Sequence, residues 1–199
     1  MASSIDITKP VAGSATTQSV RDNFAAAKTE IEDLQLHYPH IGFIDYNDSA
    51  TVLTPISLTA NTWAKLTNNG NGANTLKTYK PQGVTELWNT STNQFTWADL
   101  ILGDMVEMRT DISITTTGAN QTVWLSMFMG VGGSQYELPI VVAHLFKTAG
   151  TYQLTPCYQF YIGNATTLNN PAEIKVKSDA TATCVVNGFY IKATLIGDH

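Results

Sequence analysis

At 199 residues and 21.6 kDa the chain has room for one large domain, or a medium domain with an appendage, and 43% hydrophobic content suffices for a real core, which excludes disorder as the main state. Only 14% of residues are charged, so the abundant Thr, Asn and Ser must make a largely neutral polar surface, one that suits strands better than helices. The net charge is −5 and the eleven Lys and Arg are scattered rather than striped, so the chain lacks an electrostatic footprint for a phosphate backbone and nucleic acid is not an expected partner.

The first segment, "MASSIDITKPVAGSATTQ" (1–18), carries Gly, Pro, Ser and Thr without periodicity and reads as an extended arm. It shows no basic stretch followed by an apolar run, and no window of the chain approaches about 18 consecutive apolar residues, so neither a secretory leader nor a membrane span is expected. Ile5, Ile7 and Val11 are small apolar anchors by which such an arm docks on another surface, the alternative being a frayed terminus.

Residues 19–38 read as a coiled-coil helix. Ser19 followed by Asp22 resembles a capping box, with the carboxylate at the positive end of the helix dipole. Val20, Phe24, Ala27, Ile31 and Leu34 follow at alternating steps of four and three, a narrow heptad seam rather than a broad apolar face. Pro39 ends the pattern by pushing Tyr38 out of helical geometry. An isolated helix of this length is marginal in water, so the seam needs a partner surface. Identical helices match so narrow a stripe better than the chain's own β domain does, which is the other option. With Phe24 and Ile31 at a and Val20, Ala27 and Leu34 at d, the heptads lean toward two strands but are too few to set the oligomer number.

From 39 to 199, strand-like runs alternate with turn clusters about every ten residues, the pattern of an all-β domain. The expected strands are "HIGFIDYN", "TVLTPISL", "TWAKLT", "VTELWN", "NQFTWA", "DMVEMRTDISITT", "QTVWLSMFMG", "LPIVVAHLFK", "GTYQLTPCYQFYIG", "AEIKVKS" and "TATCVVNGFYIKATLI". The breaks between them include "NNGNGAN", "TTGANQ" and "GNATTLNNP". In the sixth strand Val106, Met108, Thr110, Ile112 and Ile114 share one face, and in the tenth Ile174 and Val176 lie opposite Glu173, Lys175 and Lys177. Asn187-Gly188 in the last run reads as a bulge rather than a hairpin, because the flanking arms are short. "QTVWLSMFMG" and "LPIVVAHLFK" are apolar on both faces, which predicts a cover on the second face, a subunit interface being one that fits. Long strands with no helical crossover point to an antiparallel jelly-roll-like β-sandwich, with a closed barrel second. The fold class is therefore mainly β, preceded by an arm and one short helix.

No chemistry-bearing constellation stands out. Cys157 and Cys184 sit in apolar runs and read as two buried thiols. His37, His40, His144 and His199 lack metal spacing, and the Asp45, Asn47, Asp48 cluster fits turn chemistry better than a calcium loop, so neither metal nor other cofactor is expected. Nucleophile-elbow, zincin and phosphate-loop sequences are absent, and Glu86, Asp99, Asp104, Glu107 and Asp111 read as outward polar positions rather than a hydrolytic pair. The chain is not expected to be an enzyme. Sequons at Asn47, Asn89, Asn120 and Asn164 read as turns, and Trp63, Trp88, Trp97 and Trp124 as core or interface anchors before glycan platforms.

The stretch "PVAGSATTQSVRDNFAAAKTEIEDLQ" resembles the N-terminal region of tailed-bacteriophage structural proteins, in which a polar arm leads through "SVRDNF" into a short helix rich in Glu and Lys. "LILGDMVEMRTDISITT" resembles the strand after a Gly-Asp turn in tumour-necrosis-factor-like trimeric jelly rolls of virion surfaces. The resemblance implies a homotrimer on the virion surface, made in the host cytoplasm: a head fibre, spike or capsid decoration protein anchored by its arm to capsid or tail components. The alternative it implies is a host-receptor-binding tail fibre or adhesin tip, for which a host-cell surface glycan is the further partner. No membrane partner is implied.

Overall fold

The computed structural model describes residues 17–36 and 40–196, which fall into two compact units divided between Pro39 and His40; each is described by itself. The first unit is one helix, α1 (Thr17–Leu36). It begins two residues before Ser19, so Ser19 lies inside its first turn and is not the cap. The Asp22 carboxylate instead accepts a hydrogen bond from Gln18 Nε2 at 2.7 Å, one turn earlier.

The second unit is a sandwich of two antiparallel sheets, a jelly roll by its strand order. In chain order the strands are β1 (Ile41–Asn47), β2 (Ile56–Leu58), β3 (Ala64–Lys65), β4 (Trp88–Asn89), β5 (Gln94–Phe95), β6 (Met105–Thr116), β7 (Gln121–Met129), β8 (Tyr136–Phe146), β9 (Gly150–Leu154), β10 (Cys157–Tyr161), β11 (Glu173–Ser178) and β12 (Ala182–Thr194). The first sheet runs β1-β12-β6-β10, with β2 also on β12 and β9 also on β6; the second runs β3-β11-β7-β8. If β9 and β10 count as one interrupted strand, the orders β1-β12-β6-β9/β10 and β3-β11-β7-β8 are those of the double Greek key of a jelly roll. Strands β4 and β5 form a separate small hairpin.

Alternation writes the core. Along β6 every second residue from Val106 to Thr116 is buried, and Ile174 and Val176 on β11 face them from the other sheet. One end of the core is an aromatic knot: Phe95 lies 4.6 Å from Trp88 and 5.3 Å from Phe189 between ring centroids, and stacks on Trp97. The Trp88 indole donates to the Asn68 carbonyl at 2.9 Å. The expected bulge is present. Val186 pairs with Ile112 and Gly188 with Asp111, leaving Asn187 as the extra residue, and Thr51 Oγ1 accepts from the Val186 amide at 2.8 Å to hold the kink.

Several expected strands are shorter than their apolar runs. Pro55 removes a ladder donor and the amides of Leu53 and Thr54 close a turn onto the Ala50 carbonyl, so "TVLTPISL" keeps only β2. Pro156 likewise separates β9 from β10. "GNATTLNNP", expected as a turn, contains a short helix, α2 (Ala165–Asn169), because Asn164 Oδ1 accepts from the Thr167 amide at 2.8 Å and caps it.

Candidate functional site

On α1, Val20 and Ala27 are half-buried while Phe24 and Ile31 are 72% and 54% exposed; Leu34 belongs to the helix, but its side chain lies outside the described residues. Lys28 and Glu32 form an i,i+4 pair at 3.6 Å, which adds only a few tenths of a kcal/mol. Two large apolar side chains one heptad apart are thus presented to solvent on a helix that propensity alone does not hold. Ile5, Ile7 and Val11 of the arm lie outside the described residues, as do His37 and His199.

The outer face of the first sheet carries a ladder of side chains. Phe43 on β1 stacks between Tyr79 (5.5 Å) and Tyr190 on β12 (5.2 Å), and the Arg109 guanidinium of β6 lies 5.5 Å from the Tyr190 ring. Arg109 Nε donates to both Asp111 oxygens, at 2.9 and 3.1 Å, and that carboxylate keeps the guanidinium above its ordinary range. Burial pushes the Asp45 carboxyl up, against the pull of Arg109. One row on, Lys192 pairs with Glu107 at 3.1 Å. An open cleft of about 420 Å³ beside this ladder is lined by Glu107, Arg109, Cys157, Gln159 and Tyr190. Cys157 is exposed and free, contrary to the expectation of burial, because the alternation of β10 turns it outward with Gln159 and Tyr161; Cys184 is buried as expected.

The outer face of the second sheet is covered along β7 by this chain itself. Trp63 meets Phe128 edge-on at 5.3 Å, Lys177 lies 4.8 and 4.9 Å from the Trp63 and Trp124 rings, and Lys175 lies over Phe128. A subunit interface is not needed to explain that run. β8, at the sheet edge, differs: Val142 and Leu145 are 73% and 52% exposed. Trp88 and Trp97 are core residues, while Trp63 and Trp124 are half-buried on this face.

The five carboxylates weighed as a hydrolytic set each bond within the fold. Glu86 accepts from Tyr46 and Lys77, Asp99 from the Thr85 amide and hydroxyl, Glu107 from Lys192, and Asp111 from Arg109. Asp104 is fully buried rather than outward, since its oxygens accept the Ile101 and Ile196 amides at 2.8 and 2.9 Å and close the loop before β6 onto the segment that follows β12. Asp48 is spent on turn chemistry, accepting from the Thr51 and Asn69 amides. Among the described residues no group of three or more His, Cys, Asp or Glu is placed to hold a metal ion. The alternation of β6 places Glu107, Arg109 and Asp111 on its outward face in the sequence; what sequence reasoning missed is that Phe43, Tyr79 and Tyr190 join them in a ladder.

No protein-family model matches the sequence, and no curated protein matches it. Similar solved structures include a chain of infectious bursal disease virus Gx strain, at 8% identity and TM-score 0.40, covering 80% of this chain and 33% of that one. The CBM22-1 xylan-binding domain of Paenibacillus barcinonensis Xyn10C is similar at 12% identity and TM-score 0.39, over 78% of this chain and 94% of that one. The Eiger TNF of S. frugiperda is similar at 6% identity and TM-score 0.41, over 80% and 95%. This chain therefore spans a third of the viral chain's length. Likenesses this remote say nothing of what the protein binds or joins.

Proposed function

We propose that this protein is a self-assembling virion structural protein of a tailed bacteriophage: a homotrimeric head fibre, spike or capsid decoration protein held to the particle by its N-terminal arm. The observation that carries the reading is α1, a lone helix whose seam residues Phe24 and Ile31 stand 72% and 54% exposed. Burying them against identical helices yields about 1.5 to 3 kcal/mol per side chain, which a free helix forgoes. The jelly roll supplies a compact body, the "SVRDNF" resemblance supports the phage assignment, and the resemblance of "LILGDMVEMRTDISITT" to trimeric jelly rolls supports the trimer.

The test is deletion of residues 1–18. The truncated protein should remain a soluble oligomer and fail to sediment with particles that carry the full chain. Retained attachment would remove the arm from the mechanism.

A further inference from the structure

At one end of the first sheet, the outermost row is apolar almost from edge to edge. Ile41 on β1 pairs with Thr194 on β12, Thr194 with Met105 on β6, and Met105 with Tyr161 on β10. All three large apolar members are open to solvent, Ile41 at 54%, Met105 at 41% and Tyr161 at 65%. Loop residues extend the patch. The Ile196 amide donates to Asp104, the Gly103 amide to the Ile162 carbonyl at 2.9 Å, and the Leu195 amide to the His40 carbonyl at 2.7 Å, which fixes Ile196 and Leu102 beside the row, 63% and 51% exposed. Ile196 lies directly over Gly103, whose φ of +100° and lack of a side chain admit it. The patch is built, not frayed: the one carboxylate within it, Asp104, is buried beneath and bonded to the backbone that shapes it.

We propose that this end of the sheet is a contact between copies of the chain, occupied by the same patch of the other copies around their shared axis; the inference rests on the self-association reading above. Three features favour a second copy over another occupant. Copies related by a rotation axis bring identical side chains together around it, which penalises exposed charge near the axis, and the five exposed side chains here are all uncharged. Along the sheet itself, the charges one row inward cancel in the Lys192–Glu107 pair at 3.1 Å. Finally, only residues 37–39 separate the last residue of α1 from His40, and β1 opens at Ile41 within the patch. Copies joined through the helix seam therefore carry their patches on a very short tether, at high effective concentration.

The test is sedimentation velocity of the full chain over a range of concentrations, comparing wild type with Met105→Glu/Tyr161→Glu, with Tyr161→Ser and with Val142→Glu. Wild type and Val142→Glu should share one oligomer mass, while the patch variants, with unchanged far-ultraviolet circular dichroism, should need at least about tenfold more protein to assemble. Tyr161→Ser removes only an exposed ring and carries the test if the double variant loses its fold. If the patch variants assemble like wild type, the inference is overturned while self-association stands. A wild type that is monomeric throughout removes both.

Discussion

Glu173 is the buried acid on which the second sheet's outer face converges. It is 7% exposed, and its carboxylate accepts from Lys175 at 3.0 Å, Lys65 at 3.1 Å and Gln94 at 2.9 Å. Removing one partner of a buried ion pair costs about 3 to 5 kcal/mol when the other cannot escape. Here Lys65 and Lys175 are 34% and 23% exposed and can turn partly to water. Glu173→Ala should therefore destabilise the β unit by about 2 to 3 kcal/mol, or about 4 to 12 °C in Tm for a domain of this size. Urea unfolding at equal chain concentration, followed by tryptophan fluorescence, measures it. Burial alone pushes the Glu173 carboxyl up, but the hydrogen bonds from Lys175, Gln94 and Lys65 outweigh burial and hold it below the ordinary value of 4.5. As pH falls the unfolded chain takes up its proton first, so the carboxylate's contribution is complete above pH 4.5 and is lost as pH drops through the lower folded value. The stability gap between wild type and Glu173→Gln should accordingly narrow below pH 4.5. A loss under about 0.5 kcal/mol at neutral pH, the range of ordinary surface substitutions, would refute the reasoning.

Two further outcomes follow from single buried groups. Tyr46 is fully buried, donates its hydroxyl to Glu86 at 2.5 Å and accepts the Leu87 amide at 3.1 Å, so Tyr46→Phe should cost about 1 to 2 kcal/mol in the same urea assay by leaving the Leu87 amide without this acceptor, while Glu86 keeps Lys77. Cys184 is buried and its thiol is pushed up to about 12, so iodoacetamide at pH 8 should leave it unmodified by mass spectrometry until denaturant is added; native labelling would mean that β12 opens.

The long strands were legible because side-chain period and burial coincide there: Val106 to Ile114 alternate in the chain and alternate in the sandwich. Asn187 was legible as a bulge because the arms flanking Asn187-Gly188 are short for a hairpin, and the pairing of β12 with β6 slips by one residue there. The region from 48 to 100 was not. Its strands are two or three residues long, and its order comes from side-chain bonds such as Asn68 to Tyr46 and Asp99 to Thr85, which span 22 and 14 residues and leave no periodic trace. The cover over β7 was also out of reach, because Trp63 and Lys177 meet only once β3 and β11 are paired. As for the candidate sites, the heptad spacing on α1 is visible in the sequence, whereas the apolar end of the first sheet depends on register between four strands and on the turn at Gly103.

Whether copies complete the α1 seam is tested most directly by the solution mass of the purified full chain by multi-angle light scattering. The account predicts three times the 21.6-kDa chain mass, falling toward one chain in Phe24→Asp/Ile31→Asp. A single-chain mass at every concentration, or an unchanged oligomer in that variant, would contradict it.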